Sequence, residues 1–316
     1  MKLFSSLTLL VLAACALARN DRWVSPTDDS PADAPERSQA DVEALLRTTR
    51  QALHSLPPLV AQIQLSVNLL GQDMQWTGQY VQAGFGTPHY LWDLSLADES
   101  SVPSRMTQVF DGRFLYSLHQ SPLGSELTYA DLNQLSGLAQ RNHNHIASAD
   151  AWQGIGGLSS LLEHLETAFA FEDAGSKTSS SSSRTTFRVL RGEWTEAALR
   201  ELLREEVNPK WFSSGIQWDR LPKQLPHGVE IWIGSDPYLP SFPYRLVFFQ
   251  YERTRLGGWQ TVPRVVVTLH QVRLVESLPA ETFRVSSENL QPIDLTADYV
   301  NRSKMYLLYP AVRSPR

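Results

Sequence analysis

Residues 59–80 read LVAQIQLSVNLLGQDMQWTGQY, and their pattern decides the class of fold. Apolar residues stand at every second position from 59 to 69, and most of the residues between them are polar. A period of two predicts a β-strand with one buried face and one solvated face. A short turn follows at 71–73, and Met74, Trp76 and Tyr80 then share one side of a second strand. Two such strands joined by a turn predict an antiparallel pair.

The rest of the chain extends this pair into a larger sheet. Tyr90 and Trp92 mark a third strand, and residues 106–118 (MTQVFDGRFLYSL) predict a hairpin that turns at Asp111 and Gly112. Further strands are predicted at 185–192, 229–234, 244–253 and 262–276, and helices at 39–55, 128–139, 151–170 and 195–206. Because strands follow strands, the sheet is predicted to be antiparallel. The predicted fold class is α+β: a curved antiparallel sheet that forms an unclosed barrel covered by helices.

Composition limits the class of protein. The chain has 316 residues, 42% of them hydrophobic, and a net charge of −5. These values are typical of a globular protein with a full core, and they argue against a nucleic-acid partner, which requires concentrated positive charge. We interpret residues 39–316 as one domain, with a serine-rich surface loop at 176–184.

The N-terminus predicts export. Residues 1–14 carry one lysine followed by an apolar stretch too short to span a membrane, which is typical of a signal peptide. Cys15, the only cysteine, follows Leu-Ala-Ala as in a bacterial lipobox, which predicts a lipidated N-terminus and a disordered tether over 15–38. The alternative is ordinary cleavage after Ala18, which would discard Cys15. The predicted location is the periplasm or outer membrane, anchored by lipid, or soluble and secreted if Cys15 is not lipidated.

Several short motifs resemble the LolA/LolB-like family of bacterial lipoprotein carriers. They are the Asp-Gly turn followed by aromatics in VFDGRFLYSL (109–118), GTPHYLWDL (86–94), DPYLPSFPYRLVFFQY (236–251) and the C-terminal PAETFRV with IDLT. The resemblance implies an unclosed barrel with a helical lid, a cavity for lipid or lipoprotein acyl chains, and no catalytic activity or cofactor. On that architecture the cavity is lined by Ile63, Leu65, Val67, Met74, Trp76, Tyr80, Tyr90, Trp92, Leu161 and Leu165. One departure is Thr87, where the soluble carriers have a basic residue that helps to lock the lid.

Other readings of the same residues stay open. The apolar faces could form a filled core in a protein–protein interaction module of the cell envelope, or the chain could be an envelope hydrolase of an unrecognised type. His143 and His145, with Asp150 near them, offer only two imidazoles and no third ligand at a recognised spacing, so we predict no metal site. The sequence contains no Gly-x-Ser-x-Gly motif, the pattern that is typical of serine hydrolases.

Overall fold

The computed structural model describes residues 38–69, 72–96, 104–134, 157–178, 185–203, 212, 215–222, 225–236, 238–254, 257–285 and 290–297. Within these ranges the helices with defined bounds are α1 (Gln39–Ser55), α2 (Gly157–Ala168), α3 (Glu196–Leu203) and a 3₁₀ turn at Trp218–Arg220, and residues 132–134 and 296–297 are also helical. The strands are β1 (Leu59–Leu69), β2 (Gln72–Gln82), β3 (Tyr90–Leu96), β4 (Arg105–Phe110), β5 (Phe114–Ser121), β6 (Gly124–Asp131), β7 (Phe169–Thr178), β8 (Thr186–Trp194), β9 (Gly228–Ser235), β10 (Pro240–Arg253), β11 (Trp259–Leu274) and β12 (Ile293–Asp294).

In the described residues these strands form one sheet, in the order β12-β6-β5-β4-β3-β2-β1-β11-β10-β9-β8-β7. Neighbouring strands are antiparallel except β12, which runs parallel to β6. The sheet is curved, and its two edge strands, β12 and β7, do not pair with each other. The predicted fold class, an unclosed antiparallel sheet with helices on it, is confirmed.

Strand β1 lies near the middle of the strand order. It pairs along its length with β2 on one side and with β11 on the other. Leu65 stands opposite Trp76 in β2 and opposite Val267 in β11, and all three side chains are buried. We call the side of the sheet that bears these residues the inner face. The period of two in the sequence therefore marks the side that packs against the helices.

The outer face carries polar side chains that bond to one another across strands. Arg264 donates from Nε to the Gln250 side chain over 2.8 Å and from Nη1 to Asn68 over 3.1 Å, and it is paired with Glu252. The network joins β11 to β10 and to the end of β1. Ion pairs this near solvent add little stability individually, but polar contacts of this kind keep the inner and outer faces distinct.

The hairpin at Asp111 and Gly112 forms as the sequence predicts. Asp111 Oδ1 accepts hydrogen bonds from the backbone N–H groups of Arg113 and Phe114, at 2.9 and 2.7 Å. Gly112 has a φ of +91°, which disfavours other residue types, and a Cβ atom there would lie 2.5 Å from the His89 ring. The aspartate therefore acts as a turn residue that fixes the β4–β5 register.

Two predicted helices are partly wrong. Residues 128–131 end strand β6 instead of starting a helix, since Thr128 stands opposite Ser117 and Asp131 opposite Phe114. Pairing with β5 outweighs the local propensity on which the helix was based. The helix predicted at 151–170 is observed over Gly157–Ala168, and Phe169 begins strand β7. Strand β7 also includes 176–178 of the predicted serine loop, whose remainder lies outside the described residues.

One buried histidine connects β9 to β10. The His227 side chain accepts the backbone N–H of Tyr251 at Nδ1 over 2.9 Å, and its ring lies 5.0 Å from that of Trp218. Burial, followed by the positive charge of Arg264, lowers the pKa of His227 from 6.5 to about 4. The imidazole is therefore neutral in the folded protein at neutral pH.

We expect this histidine to make the fold sensitive to acid. The folded pKa lies below the unfolded one, so its stabilising contribution is complete above pH ~6.5 and is lost as the pH falls to about 4. The loss should be on the order of 2–3 kcal/mol, because the unfolded chain binds a proton that the folded chain does not. Urea unfolding at a series of pH values measures it. His227→Asn, which keeps an acceptor for Tyr251, should flatten this slope, whereas His270→Asn at an exposed position should not.

Candidate ligand-binding face

The ten residues predicted to line a cavity are brought together by the structure. Each is at most 8% exposed, and all belong to one contiguous hydrophobic cluster. Strands β1, β2 and β3 supply eight of them and helix α2 supplies two. The set is Ile63, Leu65, Val67, Met74, Trp76, Tyr80, Tyr90, Trp92, Leu161 and Leu165.

Aromatic rings dominate this face on β2 and β3. Tyr80 stands opposite Trp92, and their rings meet edge to face with centroids 5.4 Å apart. Tyr90 stands opposite Phe110 of β4, with ring centroids 5.9 Å apart. Rigid rings of this size give a large apolar surface with few torsions to order.

The Tyr80 hydroxyl links the sheet to helix α2. It donates to Gln82 Oε1 over 2.8 Å and accepts the backbone N–H of Leu158, in the first turn of the helix, over 3.2 Å. Burial raises the pKa of Tyr80 well above its ordinary value, so the group stays a neutral hydroxyl. This contact satisfies one of the unpaired N–H groups at the start of the helix.

The helices are joined to each other by an ion pair on their solvent side. Arg50 of α1 lies 3.0 Å from a carboxylate oxygen of Glu163 and 3.5 Å from one of Glu166, both in α2. Thr87, which replaces the basic residue of the soluble carriers, bonds back to the Gly84 carbonyl in its own loop. Arg50 therefore joins α1 to α2, and Tyr80 joins α2 to the sheet, in addition to the packing of both helices on β7 and of α1 on β10.

The sequence prediction missed the other half of the inner face. Leu246 of β10 and Ile231 of β9 continue the row that Leu65 and Val267 begin, and all four are buried. The signal was present, because the strands predicted at 229–234 and 262–276 also alternate in hydrophobicity. Helix α1 packs against β10 and β7, and α2 packs against β7 and α1, so these helices lie mainly over this half.

Polar groups on the inner face were also missed. Gln108, Ser117 and Thr128, on β4, β5 and β6, are each at most 9% exposed. The indole Nε1 atoms of Trp76 and Trp92 are buried and have no hydrogen-bond partner within the described part of the chain. The alternation along the strands places these residues on the same side as the buried apolar residues. A glutamine or serine in a strand usually indicates the solvated side, however, so their burial was not predicted.

Some predicted sites fall outside the described residues, namely Cys15, His143 and His145. Within the described ranges, no three His, Cys, Asp or Glu side chains are grouped closely enough to hold a metal ion. No helix in those ranges combines the length and the apolar character that crossing a membrane requires.

No protein-family model and no curated protein matches the chain. Among solved structures, a DUF1329 family protein from Desulfovibrio piger is similar over 80% of this chain and 98% of its own, at 10% identity and a TM-score of 0.34. LprF from Mycobacterium bovis is similar over 76% and 96%, at 10% identity and a TM-score of 0.35. A domain assigned as an outer membrane lipoprotein-sorting protein, from Vibrio parahaemolyticus, is similar over 78% and 97%, at 9% identity and a TM-score of 0.28.

These identities and TM-scores are low, so the fold assignment depends on the strand order and helix packing of this chain. The resemblance to LolA/LolB-like proteins is one of architecture, and it consists of an unclosed antiparallel sheet with helices on its inner face.

Proposed function

We propose that this chain is an exported, lipid-anchored protein of the cell envelope that binds lipid or lipoprotein acyl chains on its inner face without catalysis. The observation that supports this most is the extent of the apolar face. It runs from β3 through β1 to β9, whereas α1 and α2 pack mainly on β7 and β10. The aromatic half formed by β2 and β3, which α2 contacts at Tyr80, is the part on which we propose that an acyl chain lies.

Burial energy makes such a ligand plausible. Each buried CH₂ group contributes roughly 0.8 kcal/mol, so a chain of ~16 carbons would gain about 12 kcal/mol before ordering costs are subtracted. With an association cost of about 4 kcal/mol, the low end of the usual range, about 8 kcal/mol remains, which corresponds to a dissociation constant of about 1 μM.

The absence of catalysis is proposed from the chemistry of the lining residues. The ten residues predicted to line the cavity carry hydrocarbon and aromatic groups, which supply contact area and no nucleophile–base pair. The hydroxyl of Tyr80 is occupied by Gln82 and Leu158, and its raised pKa makes ionisation at neutral pH unfavourable.

A fluorescence titration tests this proposal. Tryptophan emission should change saturably when palmitate or a diacylated lipopeptide is added, and Trp76→Phe and Trp92→Phe should each remove part of the change. The melting temperature should rise with ligand concentration, since a ligand that binds only the folded state stabilises it. If neither signal responds to any acyl compound, the inner face is a filled core and the interaction module is the better account.

We predict that Cys15 is the lipidated N-terminus of the mature protein. The prediction is based on the Leu-Ala-Ala-Cys sequence and on the proline-rich, charged residues 16–38 that follow it. Wild-type protein should sediment with membranes, and Cys15→Ser should move most of it to the soluble fraction, as measured by fractionation and immunoblotting. Soluble wild-type protein whose mature N-terminus is Arg19 would show that an ordinary signal peptidase removes the cysteine.

A further inference from the structure

Four buried polar side chains form a row across the inner face. Trp92 stands opposite Gln108, Gln108 opposite Ser117, and Ser117 opposite Thr128, so one residue comes from each of β3 to β6. Their exposed fractions are 5, 7, 7 and 9%. We call these four residues the polar row. Cross-strand neighbours on one face lie about 5 Å apart, so the row is continuous.

The surroundings of the polar row are apolar along one side. The adjacent row consists of Tyr90, Phe110, Leu115 and Ala130, all buried. Beyond Trp92, the inner face continues through Tyr80 to β1 and β11, where the buried residues are aliphatic, such as Ile63 and Leu269. The inner face is therefore asymmetric, with polar groups at the β4–β6 end and hydrocarbon at the β1–β11 end.

One member of the row is a buried hydrogen-bond donor without a partner. Trp92 Nε1 has no acceptor among the residues that the structure describes, although the indole is 5% exposed. An indole N–H can only donate, so it requires an oxygen acceptor, and leaving it unpaired in the interior is costly. A ligand made only of hydrocarbon would not meet this requirement, whereas a carbonyl oxygen would.

The charges near the row favour a neutral ligand group. The next inner-face positions on β5 and β6 are His119 and Glu126, which stand opposite each other. Burial lowers the pKa of His119, so its ring is neutral at neutral pH and offers no positive charge. Glu126 would repel a carboxylate. An uncharged carbonyl therefore fits this end of the face better than a free fatty acid does.

We infer that the polar row binds the ester group of a neutral acyl ester, with the Trp92 indole N–H donating to the ester carbonyl and the acyl chain extending toward β1 and β11. This inference rests on the proposed function, because it assigns the orientation and chemical class of a ligand on the same face. It distinguishes acyl esters, including those of lipidated proteins and glycerolipids, from free acids and from hydrocarbons.

Three ligands of equal chain length test the inference by competition against a fluorescent apolar probe. Methyl palmitate has a neutral ester, palmitate has a carboxylate, and hexadecane has no oxygen. Wild type should bind methyl palmitate most tightly. Trp92→Phe, which keeps a ring and removes the donor, should lower the affinity for methyl palmitate roughly five- to tenfold more than the affinity for hexadecane, the usual value of one hydrogen bond.

Two further variants locate the effect. Gln108→Leu should also reduce the preference for the ester, because it removes a polar neighbour of Trp92. Trp76→Phe removes an unpartnered indole N–H whose cross-strand neighbours are Leu65 and Leu96. Any change in affinity that it causes should be equal for methyl palmitate and hexadecane. Thermal melts of each variant confirm that it is folded.

The outcomes separate this inference from the proposed function. Equal affinity of wild type for all three ligands, or an equal loss of ester preference in Trp76→Phe and Trp92→Phe, would overturn the assignment of the ester to the polar row while leaving acyl binding in place. Failure of all three ligands to displace the probe from the wild-type protein would instead overturn the proposed function, and the inference with it.

Discussion

Gly78→Ala is expected to destabilise the protein by about 3–5 kcal/mol, among the largest effects of any single substitution. Gly78 lies in β2 opposite Leu94 of β3, and a Cβ atom at this position would lie 1.8 Å from the backbone carbonyl oxygen of Asp93. A backbone atom in a paired strand cannot move away without breaking the ladder. Strands β2 and β3 would therefore separate where Tyr80 and Trp92 meet.

Chemical denaturation monitored by circular dichroism measures this effect. Gly258→Ala is the matched control, because the nearest atom to a Cβ there is Thr254 Oγ1 at 3.5 Å, an ordinary contact distance. That control should change the free energy of unfolding by less than about 1 kcal/mol. Near-equal stability of the two variants would mean that β2 and β3 do not approach each other as closely as described.

Leu65→Asn is expected to reduce acyl binding at least tenfold while the protein remains folded. Leu65 is fully buried at the centre of the inner face, between Trp76 and Val267. Because Leu65 is 0% exposed in the structure, part of the cost of burying an amide, roughly 1–3 kcal/mol, appears in folding. The rest appears in affinity, because an acyl chain at this position would contact the amide instead of a hydrocarbon side chain. The free energy of unfolding without ligand should fall by roughly 1–3 kcal/mol, and binding is compared on samples that circular dichroism shows to be folded.

Ser66→Asn provides the control, because it introduces the same side chain on the opposite face of the same strand and should alter neither binding nor folding. A filled core makes the opposite prediction for Leu65. In that case Leu65→Ala alone should cost about 2–5 kcal/mol of stability, and acyl compounds should bind neither wild type nor variant. Paired titrations and denaturation curves on the same samples distinguish the two cases.

Periodicity was enough to predict the sheet and one half of its inner face. The alternation from Leu59 to Tyr80 indicates which side of β1 and β2 is buried, because a shift of one residue would expose every apolar group. The short turn between the two strands indicates that they are antiparallel. The Asp111–Gly112 turn indicates the next hairpin for a similar local reason. These features depend on residues that are near one another in sequence.

Features that depend on distant pairing were harder to predict. The residues around Thr128 resemble the start of a helix when they are considered alone. In the structure Thr128 pairs with Ser117 of β5, and this strand pairing outweighs the local helix propensity. The polar row was missed for the same reason, since Gln108 and Ser117 come from strands with mixed patterns. Which side of such a strand is buried depends on what packs against it.

Mass spectrometry of the protein purified without detergent tests the central proposal most directly. Full-length Cys15→Ser should be used, so that a covalently attached lipid is not counted as ligand. The proposal predicts that organic extraction of this variant releases an acyl lipid, in an amount close to one per protein, and that Leu65→Asn combined with Cys15→Ser releases much less. A folded Cys15→Ser protein that yields no acyl lipid, and takes up none when incubated with lipid vesicles, would contradict the proposal.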